Sequence, residues 1–163
     1  MVDTPEVPAE QESDPFALAE PVSQRVQIQS IILAESHVTL RPEAIPKERK
    51  QRRIFGIPDV GVARPAESTM LFVKARFSLQ VSKPEEAVEE EGAKDAEKPY
   101  LTIEATFVLT YFVDSFENLQ DENLRAFAAT NGIYNAWPYW REYVQSTISR
   151  MGQPPITVPV FRL

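Results

Sequence analysis

Residues 131–163 read NGIYNAWPYWREYVQSTISRMGQPPITVPVFRL, and no other segment of the 163-residue chain is as informative. The pattern predicts a helix from about Ala136 to Arg150, which Gly152 and the prolines after it bring to an end. A tail of apolar residues and prolines follows. The apolar residues of the predicted helix are Trp137, Tyr139, Trp140, Tyr143, Val144, Ile148 and Met151. Because they cover more than one stripe, we expect the helix to lie between the subunits of an assembly.

Three stretches before this helix have the alternation that is typical of β-strands. They are Val26–Leu40, Met70–Val81 and Tyr100–Val113. In the second and third, apolar residues occupy every other position, which predicts an antiparallel sheet with one wet face. In the first, the alternation changes phase at residues 31–33, which predicts either a bulge or a strand buried on both faces.

The segments that connect these elements complete the fold class. The segment between the first two strands is long and rich in proline and charge, yet its apolar residues predict that part of it packs. A short helix is predicted over Asp121–Thr130, ended by Asn131-Gly132. The order of strand, strand, strand, helix, helix and tail predicts an α+β fold.

Two acidic segments are expected to lie outside the folded body. Residues 1–22 hold six carboxylates and no basic residue. This composition predicts a disordered acidic tail over residues 1–23, in which Asp14-Pro15 could start a single helical turn. Residues 82–99 hold seven carboxylates and three lysines, which predicts a mobile charged hairpin. The folded domain is therefore expected to span residues 24–163.

The residue content argues against catalysis and metal binding. The chain has no cysteine, and His37 is its single histidine, so a metal site would lack nitrogen and sulfur ligands. No nucleophile triad, phosphate loop or dinucleotide motif is present. The first residues have neither the basic nor the apolar region that is typical of a secretory signal, and no apolar run reaches about 20 residues. We expect a cytoplasmic protein that is not an enzyme, needs no cofactor and does not insert into a membrane.

One basic cluster, KERKQRR at residues 47–53, interrupts the long connection between the first two strands. A solvated loop is the favoured interpretation, since no aromatic residues alternate with the basic ones, and no nucleic-acid partner is expected. Contact with nucleic acid or with an acidic client is the alternative.

Three blocks of the chain, in this order, resemble the SecB family of export chaperones. The first is Val26-Gln27-Ile28-Gln29 at the start of the first strand, and the second is the pair of long strands joined by a hairpin. The third is the segment 131–152 with its Trp137-Pro138-Tyr139-Trp140-Arg141-Glu142 core, followed by the tail Pro154-Pro155-Ile156-Thr157-Val158-Pro159-Val160. The resemblance spans about residues 24–162.

This resemblance implies a fold and a function. SecB-like proteins have a four-stranded antiparallel sheet packed with one long and one short helix, and they assemble as homotetramers, dimers of dimers. They are molecular chaperones that hold unfolded polypeptides, including preproteins for export, in apolar surface grooves. SecA and, in some members, the antitoxin of a toxin–antitoxin pair are their further partners. The alternative function is therefore that of a dedicated partner of one protein.

The resemblance and the apolar pattern together assign two sets of candidate residues, with ordinary core packing as the alternative for each. The candidate client groove is lined by Leu40, Ile54, Phe55, Ile57, Val60, Val158, Val160 and Phe161. The candidate oligomer interface consists of Tyr139, Trp140, Tyr143, Thr147 and Met151. If this interface is right, the substitution Trp140→Asp should split tetramers into dimers.

Overall fold

An antiparallel sheet, four strand positions wide, organises the protein. The computed structural model describes residues 14–47, 50–84 and 98–161. The strands are β1 (Val26–Leu40), β2 (Arg52–Phe55), β3 (Asp59–Ala63), β4 (Met70–Ser82) and β5 (Leu101–Val113). Their order is β1-β5-β4-β2. Strand β3 also pairs with β4. The helices are α1 (Pro15–Ser23), α2 (Asp121–Phe127) and α3 (Ile133–Arg150), with a short 3₁₀ turn at Pro42–Ala44. The α+β prediction is confirmed.

The two central strands separate a dry face from a wet face. In β4 every odd-numbered residue from Leu71 to Val81 is buried, while Lys74 and Arg76 are exposed. β5 pairs with β4 along its whole length and follows the same alternation. We call the buried side the helix face and the side of Lys74 the open face. The apolar face is covered as the alternation predicts.

Strand β1 is an edge strand, and its register shifts twice. The shifts fall between Ile28 and Ser30 and between Leu33 and Glu35, on either side of the predicted phase change. The predicted bulge is confirmed, whereas the alternative of a strand buried on both faces is wrong. Most of β1 is exposed on both faces of the sheet.

Helix α1 corrects the expectation of a disordered tail that continues to residue 23. Asp14 caps it by accepting a hydrogen bond from the Phe16 amide at 3.0 Å, as the Asp-Pro start suggests. Ala19 and Val22 are fully buried, and the Asn123 side-chain amide of α2 donates to the Leu18 carbonyl at 2.9 Å. Two buried residues three apart give this short segment a packed face. Residues 1–13 lie outside the described residues, as do residues 85–97 of the predicted hairpin.

Helices α2 and α3 join without the break that the sequence predicts at Asn131-Gly132. A π-helical turn, Ala128–Gly132, connects them, and Gly132 has helical backbone angles. Gly132 is needed here for its small size and not to end a helix. A Cβ at this position would lie 2.8 Å from the Cγ1 of Val73 on the helix face. The turn therefore approaches the sheet more closely than an alanine would allow.

We expect Gly132→Ala to destabilise the fold by about 1–3 kcal/mol, because the new methyl group must displace the branched side chain of Val73 in a packed core. Urea unfolding would measure the change. Gly61→Ala in β3 is the matched control, since a Cβ there meets no atom within 4 Å. Equal stability of the two variants would contradict this account of Gly132.

Candidate functional site

The edge of the sheet opposite β1 is built from two short strands. β2 pairs with Leu79–Ser82 and β3 with Phe72–Arg76, so both lie along the same side of β4. Between them, the Gly56 amide donates to the Ser78 carbonyl at 3.0 Å and Ile57 follows outside the sheet, 96% exposed. The predicted loop is therefore partly sheet, and it places a large apolar side chain in solvent at its centre. We call β2, β3 and the residues between them the β2–β3 edge.

The apolar residues of this edge lie on both faces of the sheet. Ile54 is opposite Gln80 on the open face and is exposed. Phe55 and Val60 are opposite Leu79 and Ala75 on the helix face, where both are partly buried against the core. Ile54 and Ile57 are thus the accessible members of the set, and Phe55 and Val60 form the wall behind them.

The tail after α3 is held against the same side of the molecule by Trp137. Its indole Nε1 donates to the Pro159 carbonyl at 2.9 Å, and its ring lies 5.0 Å from that of Phe161. The ring of Trp137 also packs edge-on against Phe77 of β4 at 5.6 Å. Val160 remains 70% exposed beside this anchor. The tail is therefore fixed to the core, and it adds accessible apolar surface at Val160.

Two of the predicted groove residues do not line a groove. Val158 is completely buried beside Ile156, so it belongs to the core of the single chain. Leu40 lies opposite Leu101 at the end of β1 and packs against the core. Since β1 and β2 are the two outer positions of the sheet, Leu40 is separated from the β2–β3 edge by about 14 Å. These two expectations are wrong.

A second apolar surface follows β1 on the helix face. Ile28 and Leu33 are 47% and 43% exposed, although they lie opposite Tyr111 and Phe107, whose side chains are buried. The rings of Tyr139 and Tyr143 in α3 each lie 6.5 Å from that of Phe107. We call this strip, made by Ile28, Leu33, Tyr139 and Tyr143, the β1 strip.

Trp140 is the predicted interface residue that the structure places elsewhere. Its side chain is 1% exposed and stacks on Phe77 at 5.6 Å with an interplanar angle of 14°. A side chain already covered by its own sheet offers no area to a second subunit. Of the other predicted interface residues, Tyr139 is exposed and Tyr143, Thr147 and Met151 are partly exposed. The spacing of apolar residues along the helix does not show which of its faces packs on the protein's own sheet and which is left for a partner.

The basic cluster contributes to a small groove beside the β2–β3 edge. The groove lies between the connection that leads into β2 and the start of the tail at Gln153-Pro154, with Lys47 and Lys50 in its lining. The Gln51 amide lies 2.7 Å from the Tyr100 hydroxyl, and its oxygen accepts a hydrogen bond from Arg53 Nε at 2.9 Å. Burial raises the pKa of the Tyr100 hydroxyl, while Arg53 opposes the shift. Tyr100 therefore stays neutral near pH 7 and holds Gln51 in place.

The open face carries a polar cluster around His37. Arg76 and Glu104 form a salt bridge at 3.2 Å, and the His37 ring lies opposite Glu104, 3.2 Å from the Thr39 hydroxyl. Within residues 14–47, 50–84 and 98–161, no group of three histidine, cysteine or carboxylate side chains is arranged to hold a metal ion. None of the helices in these ranges is long and apolar enough to cross a bilayer.

Comparisons with known proteins agree with this architecture. No protein-family model matches the chain. Two curated relatives from Mycobacterium tuberculosis, the SecB-like chaperones Rv1957 (strain H37Rv) and MT2006 (strain CDC 1551), are each 27% identical over 141 residues, covering 83% of this chain and 77% of theirs. The solved structure of Rv1957 in complex with a ChAD peptide from the Rv1956 HigA1 antitoxin covers 90% of this chain and 98% of its own. It has a TM-score of 0.73 at 21% identity.

The architecture is α+β, an antiparallel sheet with helices on one face and an apolar tail held beside the long helix, and the solved SecB-like chaperone shares this fold. The similarity to the two curated relatives extends over 83% of this chain, and the resemblance to SecB-like proteins seen in the sequence is confirmed.

Proposed function

We propose that this protein is a holdase, a chaperone that binds unfolded polypeptides at the β2–β3 edge and the adjoining tail. The observation that carries the proposal is the 96% exposure of the large apolar side chain of Ile57, with Ile54 of β2 and Val160 of the tail also exposed. Single apolar residues are common on protein surfaces, so the proposal rests on these residues acting together along one extended client that crosses the edge. The names of the curated relatives, both SecB-like chaperones, support the same function.

The physical basis of holding is the removal of client side chains from water. Each Å² of apolar surface that the complex buries contributes about 25 cal/mol, so a single exposed isoleucine contributes about 1–2 kcal/mol. Several such contacts along one client act together, because the first binding event raises the effective concentration of the next. No catalytic group or cofactor takes part in this function.

An assembly of several copies is part of the proposal. A long edge strand with unpaired backbone groups is a template for another strand, and β1 offers such an edge with Ile28, Ile32 and Leu33 exposed. We infer that two copies pair along β1 and cover the β1 strip. The dimer of dimers stays a prediction from the sequence.

The second candidate function is a dedicated partnership with one protein, such as an antitoxin. It is favoured by the complex of Rv1957 with a peptide from the HigA1 antitoxin. Both functions use the same apolar surface and differ in the range of clients. A role in export through SecA, and a place in the cytoplasm, stay predictions from the sequence.

An aggregation assay distinguishes the two functions. Two unrelated proteins are diluted from denaturant with and without the chaperone, and their light scattering is followed. A general holdase suppresses the aggregation of both, and a dedicated partner suppresses neither while still binding its one client. If the protein binds no unfolded chain under any of these conditions, the holdase proposal is wrong.

We expect Ile57→Ser/Val160→Ser to weaken client binding about thirtyfold or more, because each change removes about 1–2 kcal/mol of apolar contact. Titration of a labelled unfolded client by fluorescence anisotropy measures the loss. Phe16→Ser is the control, since Phe16 is a half-exposed apolar residue on α1, away from this edge. Equal affinities for the double variant and the control would place the client elsewhere.

A further inference from the structure

The groove beside the β2–β3 edge combines apolar and cationic groups. Its apolar lining includes Ile45, Pro46 and Pro154, and its polar lining includes Lys47, Lys50 and Gln51. No carboxylate lines it among the described residues. We call it the basic groove. Although the whole chain has a net charge of −7, this part of its surface is positive.

The charged groups of this lining are two ammonium groups. In residues 14–47, 50–84 and 98–161, neither Lys47 nor Lys50 has an ion-pair partner, whereas Arg76 is paired with Glu104 on the open face. The Gln51 amide between the lysines and β2 is held by Tyr100 and Arg53. The cations therefore line a fixed apolar cleft, and a bound carboxylate would find hydrogen-bond donors beside apolar contact.

The basic groove is close in sequence to the proposed client surface. Lys50 precedes β2 by two residues, and Ile54 lies within β2. From Lys50 to Ile57 the extended chain spans at most about 23 Å, the length of about seven residues of a bound extended client. A client that covers Ile57 and continues along β2 is long enough to reach Lys50 with its next residues.

We propose that the basic groove selects the clients of this chaperone, favouring unfolded segments in which carboxylates stand beside apolar residues. This inference rests on the holdase function proposed above. Coulomb attraction acts here over about 8 Å at physiological ionic strength, so the two lysines of the lining favour a carboxylate of the client that lies in the groove itself. A polypeptide is favoured over nucleic acid because the groove is partly apolar and the Tyr100 ring, the aromatic group there, is buried and cannot stack on a base.

Two labelled peptides with identical apolar residues test the proposal. One carries glutamates between the apolar residues, and the other carries lysines. Fluorescence anisotropy with the full chain should give an affinity about fivefold higher for the glutamate peptide, as expected for two exposed charge pairs. This preference should shrink at high salt and vanish in Lys47→Gln/Lys50→Gln.

The matched control removes the same charge at a distance. Lys74→Gln/Arg125→Gln lies on the open face and on α2, and it should keep the preference for glutamate. Equal binding of the two peptides, or a preference that survives loss of Lys47 and Lys50, overturns the inference but leaves the holdase function standing. Binding of neither peptide overturns the holdase function itself.

Two other occupants of the groove have distinct outcomes. Residues 85–97 of the chain are themselves acidic in sequence. If the glutamate preference emerges only when they are deleted, the groove belongs to this segment and the proposal is wrong. A single-stranded RNA oligonucleotide that binds more tightly than the glutamate peptide, and displaces it, would assign the groove to nucleic acid and overturn the proposal as well.

Discussion

Trp140→Ala is expected to lower the free energy of unfolding by about 3–5 kcal/mol, the usual cost of truncating a buried aromatic side chain. The Trp140 ring lies between α3 and the sheet, 5.6 Å from the ring of Phe77 and 6.5 Å from that of Tyr143. Its removal leaves a cavity that the facing strand cannot close, because β4 is paired on both sides. Chemical denaturation followed by circular dichroism measures the change.

Tyr139→Ala is the matched control for this prediction. Its side chain is 48% exposed and neighbours Trp140 on the same helix, so its truncation should cost about 1 kcal/mol or less in the isolated chain. The structure also changes the expected result of Trp140→Asp. A carboxylate in this position faces the core, so the variant should unfold rather than form stable dimers. Well-folded dimers of Trp140→Asp would show that this side chain lies at a subunit contact after all.

The central sheet was predictable because the alternation of apolar and polar residues is a local feature of each strand. In β4 and β5 a residue's face follows from its position alone, and both strands are buried on one side only. The bulged β1 could be recognised from its change of phase. Strands β2 and β3 could not, since four or five residues interrupted by glycine and proline have too few alternations to distinguish a strand from a loop.

The candidate site was only partly predictable, because exposure depends on what packs from elsewhere in the chain. Ile57 and Val158 are both apolar residues beside a proline, yet one is in solvent and the other is buried. The difference arises from Trp137, whose hydrogen bond to Pro159 fixes the tail against the core. Helix α1 was hidden for a similar reason: its burial depends on α2, which is about 100 residues away in sequence.

Two substitutions in the exposed β1 strip can test whether copies of the chain associate through this strip. Ile28 and Leu33 are about half exposed in the single chain, so lysines there should leave its fold intact. In the proposed pairing of two copies along β1, the same side chains are buried. Because each side chain is already about half buried, each loses about 0.7–1.5 kcal/mol of apolar burial per copy when replaced, and a lysine must in addition be desolvated without a partner.

We therefore expect Ile28→Lys/Leu33→Lys to weaken self-association at least a hundredfold and to yield smaller particles at micromolar concentration. Light scattering coupled to size exclusion gives the mass, and circular dichroism verifies the fold. Gln80→Lys is the control, since it adds a cation to the open face of β4, away from the β1 edge. A double variant with the mass of the unaltered protein would mean that β1 is not a subunit contact. Because the β2–β3 edge lies on the opposite side of the sheet, the dissociated chains should still bind a short labelled client, which separates assembly from client binding.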